Sequence, residues 1–411
     1  MDVTRRDFLG VTAGAAVAAA AQRPATSPED DPLGVRKDFP VLRETTFLNT
    51  AYAGLISQAV VDAAHSWTAA RARGGYTVQE MFAKADEARR LFAGMVGAGE
   101  DEIGFVSSTT DGENLVVNSL EFKAGDNVVF DDLVYPSTPI IYQRLADTQG
   151  VELRVVKSRN GAARVEDYEK LVNDRTRLVS VAWVSNNSGY RHDVKALARL
   201  AHAHGAYLYA DAVQFMGTGP VDVHAEDVDF FTTGSYKWLM AGFGVAAFYV
   251  RRELLDRIQP SNVGWHSARR LDNNRYQHET TARKFEYATP AFGELYQLAA
   301  SLTYLRRIGL DRIEAQSQTQ VQRFRNGLTE RKIAVATPEN NRSSIVSFYT
   351  RKSAAEATRI LDAERVKVSP QGLEQPDAAT ASGFVTRVRV ALAFFNTASD
   401  VDRMLRAAEK L

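Results

Sequence analysis

The chain has 411 residues, which is long enough for two domains with sizeable cores. Lysine plus arginine and aspartate plus glutamate number 50 each, and a net charge of zero argues against a nucleic-acid or membrane-surface partner. The chain has no cysteine, which excludes disulfides, thiolate metal sites and a catalytic thiol.

Residues 1–22 have the layout of a signal peptide. A short polar start carries Arg5 and Arg6, and a Gly/Ala/Val stretch follows that is too short and too weakly apolar for a transmembrane helix. The arginine pair resembles a twin-arginine signal, so we expect an exported or periplasmic protein; an N-terminal helix with a chance arginine pair is the alternative. We expect residues 23–46 to form a spacer and N-terminal segment. No stretch beyond residue 22 is apolar for long enough to span a bilayer.

Short apolar runs alternate with amphipathic stretches between about residue 46 and residue 250. Strands are predicted at 103–106, 127–130, 151–156, 178–184, 206–210, 230–232 and 245–250, and helices at 112–120, 138–148, 165–172 and 194–204. This alternation implies βαβ units and an α/β fold with a mainly parallel seven-stranded sheet and helices on both faces. Ligands of such sheets bind outside the carboxyl ends of the strands.

The pattern changes after about residue 300. Long helices are predicted at 295–308 and 310–329, followed by a strand at 344–349, a helix at 354–364, a strand at 385–392 and a helix at 398–411. We therefore predict a large domain at 47–300 and a smaller α+β domain at 301–411, joined by the residues near 39–48.

An aspartate and a lysine follow successive predicted strands of the large domain. Asp211 follows the apolar run 206–210, and Lys237 lies in a polar turn between two apolar runs. A pyridoxal 5'-phosphate site requires this pair, because the lysine forms a Schiff base with the cofactor aldehyde and the carboxylate keeps the pyridine nitrogen protonated. Each residue alone has an ordinary interpretation as a turn cap or a solvated side chain. Together they predict an enzyme that transforms amino acids.

Hydroxyl side chains lie where the cofactor phosphate is expected. Thr109 and Thr110 open a predicted helix, and a helix N-terminus binds anions, although an ordinary N-cap has the same appearance. A second group, which includes Thr233 and Tyr236, directly precedes Lys237 and is expected to complete the phosphate site.

Three more side chains follow predicted strands. Asn186 and Gln214 are expected to donate to the phenolic oxygen of the cofactor ring, and Tyr135 is expected to stack on the open face of that ring. Ordinary loop hydrogen bonds for the two amides and a core or surface position for the tyrosine are the alternatives.

The order of these segments resembles that of the class V aminotransferase family. The resemblance covers about residues 47–411 and rests on LNTAYAGLIS, TTGSYKWLMAGFG, FEYATPAFG and TRVRVALAFFNTASDVDRML. The family includes cysteine desulfurases, isopenicillin N epimerase-like enzymes, kynureninases and C–S lyases. The resemblance implies the fold type I architecture of pyridoxal phosphate enzymes and a homodimer with shared active sites.

The resemblance also implies roles for single residues. Arg389 would bind the substrate carboxylate, which a planar guanidinium recognises in a bidentate manner. Thr289 would reach the phosphate in the partner subunit. Asn49, Tyr52 and His266 are expected to contact the substrate. Arg387 is expected to point to the other face of its strand and to be solvated; no metal site is expected.

The loop before Arg389 departs from the desulfurase pattern because it has no cysteine, so a persulfide mechanism is not available. We expect Lys237 to remove the Cα proton of an α-amino acid. Three outcomes stay open: loss of a β-leaving group by a C–S lyase, reprotonation by an epimerase, or transamination. The first two are favoured, and class V transamination is the alternative. A non-catalytic exported amino-acid-binding protein is the alternative of another class.

Overall fold

The computed structural model of the protein describes residues 31–373 and 382–411. Its largest sheet has seven strands and is called the central sheet below. The strands are β1 (Thr46–Phe47), β2 (Ile103–Val106), β3 (Asn127–Asp131), β4 (Glu152–Val156), β5 (Thr176–Ala182), β6 (Tyr207–Asp211), β7 (Phe230–Gly234), β8 (Ala246–Val250), β9 (Ala268–Arg270), β10 (Tyr276–His278), β11 (Ile345–Thr350), β12 (Val366–Lys367), β13 (Ser369–Gly372) and β14 (Thr386–Ala391). The α-helices are α1 (Gln58–Ala72), α2 (Val78–Val96), α3 (Thr109–Ser119), α4 (Ser137–Gln149), α5 (Val165–Tyr168), α6 (Val194–Ala203), α7 (Phe292–Ile308), α8 (Leu310–Glu330), α9 (Ala354–Ala363) and α10 (Ala398–Ala408).

The central sheet has the strand order β2-β8-β7-β6-β5-β3-β4. Neighbouring strands from β7 to β4 are parallel, whereas β8 is antiparallel to both of its neighbours. The prediction of a mainly parallel sheet is confirmed. The predicted helix at 165–172 is shorter in the structure, because residues 169–171 form a turn and the amide of Asn173 then bonds to Thr176 at the entrance to β5.

Helices cover both faces of the central sheet, as predicted. On one face, Val116 of α3 and Ile141 of α4 belong to an apolar cluster with Val128 of β3. On the other face, Phe92 of α2 belongs to a cluster with Val129 of β3. Neighbouring residues of a strand point to opposite faces, so burial of both faces accounts for the continuous apolar runs of the sequence.

The C-terminal elements form an antiparallel sheet of order β11-β14-β13, against which α8 and α10 contribute apolar side chains. The N-terminal segment joins these elements, because β1 pairs with β12 and the guanidinium of Arg36 lies 2.7 Å from the carboxylate of Asp400. The domain limits at 47–300 and 301–411 stay predictions. Residues 1–22, which carry the predicted signal, lie outside the described residues. Within the described ranges, no helix has the length and apolarity needed to cross a membrane.

Candidate active site

Lys237 lies in the turn between β7 and β8, at the carboxyl edge of the sheet. The hydroxyl of Ser235 closes this turn, since it lies 2.5 Å from the carbonyl oxygen of Gly242 and 2.9 Å from that of Val245. The Lys237 side chain is buried, and this burial lowers the pKa of the amine to about 8; the carboxylate of Asp211 opposes that shift. The amine therefore titrates near neutral pH instead of staying fully protonated.

Asp211 ends β6, the strand next to β7 in the sheet. Its carboxylate accepts a hydrogen bond of 3.0 Å from the amide of Val213. Burial raises the pKa of Asp211, while the Val213 amide and the charge of Lys237 act in the opposite direction. A protonated pyridine ring beside Asp211 would favour the ionised form of its carboxyl group.

Arg389 reaches this edge from β14 of the C-terminal sheet. Its Nη1 donates a hydrogen bond of 3.0 Å to the carbonyl oxygen of Asn186, while Nε is buried without a hydrogen-bond partner among the described residues. Burial lowers the pKa of Arg389 to about 10, and the positive charge of Arg387 adds to this effect. Because Nη1 is already bonded to the protein and Nε is not, the guanidinium can donate a hydrogen bond from Nε to an anion.

Arg387 does not point away from this site, and that expectation was wrong. Its Nη2 lies 3.3 Å from Oε1 of Gln371, and its side chain is half-buried. Residues two apart on a strand share a face, so Arg387 lies on the same side as Arg389.

A cavity of about 410 Å³ lies at this edge, between loops of the central sheet and strands β13 and β14 of the C-terminal sheet. It brings together six of the predicted site residues: Tyr52, Tyr135, Asn186, Tyr236, Lys237 and Arg389. The amine of Lys237 lies 5.5 Å from the ring centre of Tyr236 and 5.9 Å from that of Tyr135. An amine, a guanidinium and an open aromatic ring therefore share one cavity.

The residues present fit pyridoxal phosphate. Oδ1 of Asn186 and Nε of Arg389 are buried without hydrogen-bond partners in the described part of the chain, and a ligand that satisfies such atoms is stabilised. The ring of Tyr135 is 48% exposed, which leaves a face for stacking. Thr109 and Thr110 open α3, whose N-terminus suits a phosphate, and the Thr110 hydroxyl donates to Ser137 over 3.1 Å.

Gln214 is close to the site but does not line the cavity. Its amide is used by the protein itself, because Nε2 donates to the carbonyl oxygen of Ala51 and Nε1 of Trp238 donates to its Oε1, each over 2.9 Å. A contact with the cofactor would use the second hydrogen of Nε2. Thr233 is fully buried within β7, and Asn49 pairs with Ala391 beside the cavity.

Thr289 and His266 lie elsewhere. Thr289 lines a separate cavity of about 180 Å³ together with Ser107 and Asp111. The ring of His266 stacks on Phe82 at 5.3 Å between ring centres. Neither residue borders the cavity of Lys237 within one chain.

Sequence reasoning missed three residues of the site: Ser369, Gln371 and Gly54. Ser369 and Gln371 of β13 line the cavity, and their alternation on a strand was a usable signal. Gly54 lies against the lysine turn: its amide donates to the carbonyl oxygen of Tyr236 over 2.8 Å, and a Cβ atom there would overlap the carbonyl oxygen of Lys237. Only Gly permits this approach.

Comparison with known proteins identifies the family. The model for class-V aminotransferases matches residues 47–404. The chain belongs to this family. It is 31% identical over 331 residues to a probable cysteine desulfurase of Pyrococcus abyssi, which covers 78% of this chain and 81% of that protein.

Solved structures of related proteins are similar as well. An apo cysteine desulfurase from Thermococcus onnurineus NA1 superposes with a TM-score of 0.84 and 29% identity, covering 92% of this chain and 98% of that one. The fold is also that of C-DES, in a mutant with glycine covalently linked to its PLP cofactor, at a TM-score of 0.81 and 20% identity over 91% and 99% of the two chains. The chain is therefore a fold type I, pyridoxal phosphate-dependent class V enzyme, as predicted.

Proposed function

We propose that this class V enzyme acts on an α-amino acid by removing its Cα proton, in a C–S lyase or epimerase reaction that uses no cysteine of the protein. One observation carries the proposal: Lys237 and Arg389 line the same cavity. A base and a carboxylate-binding cation on one cavity wall define the two ends of an amino-acid substrate.

Arg389 fixes the substrate. The hydrogen bond from Nη1 to the Asn186 carbonyl orients the guanidinium plane and leaves Nε for the substrate carboxylate. Fixing the carboxylate in this way would orient the Cα–H bond toward Lys237, and such orientation contributes to the rate.

Lys237 moves the proton. With a pKa of about 8, its amine is partly unprotonated at neutral pH and can accept the Cα proton. Bound pyridoxal phosphate supplies an electron sink for the pair of electrons that this proton leaves behind. When the cofactor is bound, the Asp211 carboxylate would accept the hydrogen bond of the protonated pyridine nitrogen, Tyr135 would stack on the ring, and Nδ2 of Asn186 would donate to the phenolic oxygen.

The missing thiol limits the outcome. Because the chain has no cysteine, it cannot accept sulfur as a persulfide. A sulfur group eliminated from the substrate would therefore be released as a small-molecule product. Elimination requires only the base already described, whereas epimerisation also requires a proton delivered to the opposite face of Cα. Transamination is the alternative, and it requires a second half-reaction with a keto acid.

The test combines the purified holoenzyme with L-amino acids, including S-substituted cysteines. Formation of ammonia and a keto acid indicates a lyase, appearance of the D-enantiomer an epimerase, and accumulation of the pyridoxamine form of the cofactor a transaminase. Lys237→Ala should abolish turnover, whereas the exposed Lys157→Ala should match the wild type. Function that persists without Lys237 would favour the binding-protein alternative.

We also propose a homodimer. Large apolar side chains stay uncovered: Phe243 at the cavity, and Trp265 and Tyr276 outside it, each more than 60% exposed. A second copy of the chain would cover them and would bring Thr289 to the partner's phosphate. Light scattering should give twice the mass of 45.4 kDa, and a monomer with full activity would contradict the proposal.

Export by the twin-arginine pathway is a further part of the proposed function. Residues 1–22 support it by their sequence alone. The paired substitution of Arg5 and Arg6 by Lys should retain the protein in the cytoplasm, while substitution of Arg23 by Lys should not. Equal periplasmic amounts of both variants would contradict it.

A further inference from the structure

Glu113 is a buried carboxyl group that the proposed mechanism does not use. It lies on α3, in the layer between the central sheet and the helices α3 and α4, and only 3% of it is exposed. Three hydroxyls lie within hydrogen-bonding distance of its two oxygens: Thr138 at 2.9 Å, Tyr142 at 3.0 Å and Ser180 at 3.2 Å. No ion pair with a lysine, arginine or histidine is formed by Glu113 among the described residues. A buried carboxyl surrounded only by hydroxyls is rare and requires a reason.

The three hydroxyls come from different elements around the cofactor site. Thr138 and Tyr142 belong to α4, which begins two residues after Tyr135, and Ser180 belongs to β5. Glu113 itself lies one turn after Thr109 on the helix that faces the cofactor phosphate. One carboxyl therefore links α3, which carries Thr109, to α4 and β5.

The packing leaves little freedom for these elements to move apart or slide. A Cβ atom at Gly112 would overlap Oγ1 of Thr232, so α3 lies directly on β7. The hydrogen bond between Thr110 and Ser137 joins the first turns of α3 and α4. Loss of the Glu113 carboxyl would leave the hydroxyls of α4 without their acceptor in this layer.

The electrostatic surroundings favour a neutral Glu113 while Asp211 is ionised. Burial raises the pKa of Glu113 to about 7, with the negative charge of Asp211 as a second cause, and the three hydroxyls oppose the shift. Tyr142 from α4 and Tyr209 from β6 also face this layer, and burial raises the pKa of both, so they stay neutral. The positive charge that acts on Asp211 is that of Lys237.

We propose that Glu113 is a positioning residue for the cofactor: its carboxyl joins α3 and α4 to the sheet, and its ionisation adds a second negative charge near that of Asp211. This inference rests on the proposed roles of Thr109, Tyr135 and Asp211. No covalent step is involved, only a proton that Glu113 binds or releases.

The test uses Glu113→Gln, which keeps a neutral, hydrogen-bonding side chain of the same size, and Glu113→Ala, which removes the link. Glu102 provides a matched control: it is a fully buried glutamate at the opposite end of the sheet, bound by His224, and Glu102→Gln should leave every cofactor measurement unchanged. Binding of pyridoxal phosphate is measured by absorbance, and the visible band of each holoenzyme is titrated with alkali.

The negative charge of ionised Glu113 stabilises the protonated form of the cofactor. Removal of that charge should therefore lower the pH at which the cofactor loses its proton. In Glu113→Gln the alkaline midpoint of the visible band should fall by about one pH unit, with cofactor affinity at pH 6 within about twofold of wild type. In Glu113→Ala the affinity should fall about tenfold. A purely structural carboxyl would lower the melting temperature but would not move the midpoint.

Unchanged midpoint and affinity in both variants would overturn the proposal. If Glu113→Ala does not fold, Tyr142→Phe and Thr138→Val each remove one of the hydroxyls, and equal cofactor affinity in both would overturn the proposed link. These measurements need no turnover. Failure of the proposed function appears separately, as a visible band that Lys237→Ala leaves intact or as absence of any amino-acid reaction.

Discussion

A hydrogen bond to Gln214 fixes the side chain of Trp238, the residue that follows Lys237 in the chain. The indole Nε1 donates a hydrogen bond of 2.9 Å to the amide oxygen of Gln214, whose Nε2 in turn donates to Ala51 over the same distance. On the other side of Lys237, the carbonyl of Tyr236 accepts a hydrogen bond from Gly54. The loop at residues 49–54, from which Tyr52 enters the cavity, is thus bonded on both sides of the lysine.

This contact predicts that Gly54→Ala damages catalysis. The added methyl group overlaps the Lys237 carbonyl oxygen, so the lysine turn must shift, and a displacement of about 1 Å reduces kcat about 100-fold. Steady-state kinetics and the visible cofactor spectrum measure the effect. Gly94→Ala is the control, because nothing lies within 4 Å of the new methyl group and the residue is within a helix. Equal kcat values would contradict the importance of this approach.

Arg389→Lys should weaken substrate binding selectively. A lysine cannot bond to the Asn186 carbonyl and also present a second coplanar donor to a carboxylate. We expect KM for the amino acid to rise about 10- to 100-fold, with cofactor affinity unchanged. Arg323→Lys, at an exposed arginine paired with Asp402, is the control and should leave KM unaltered. An unchanged KM in Arg389→Lys would remove this residue from the substrate site.

The amine of Lys237 should capture cofactor at an unusually low pH. Only the unprotonated amine reacts with an aldehyde, and its pKa of about 8 lies below the ordinary lysine value of about 10.4. The rate at which the apoprotein takes up pyridoxal phosphate should therefore rise with pH and level off above pH 8. Stopped-flow absorbance follows the reaction. A midpoint near pH 10 would contradict the effect of burial.

His202 should make stability depend on pH at the end of the sheet remote from the cavity. Its Nε2 lies 2.8 Å from the Asp229 carboxylate, and this hydrogen bond raises the pKa of the imidazole above its unfolded value of about 6.5. The stabilisation is complete below about pH 6.5 and is lost as the pH rises through the folded pKa. Urea unfolding of His202→Gln should lack this decline, whereas the exposed His65→Gln should retain it. Parallel pH profiles for His202→Gln and wild type would contradict the assignment.

Much of the site was predictable because its parts are local. Asp211 ends a strand, Lys237 and Tyr135 each follow one, and an apolar run followed by a polar residue is visible within ten residues of sequence. The position of Arg389 came from the family resemblance, and its neighbour Arg387 was misplaced although strand alternation alone determines its face. The partners of Gln214 were not predictable, because Ala51 is 163 residues away along the chain.

The sequence by itself determined the fold type, the cofactor and the absence of a protein thiol, since periodicity, motif order and composition are properties of the chain. Only the tertiary structure decided that Ser235 closes the lysine turn and that Asn186 uses its carbonyl to orient Arg389. It also decided that Glu113 accepts hydrogen bonds from hydroxyls of α4 and β5. These pairings depend on which polar groups are buried side by side once the helices pack on the sheet, and no local pattern encodes that choice.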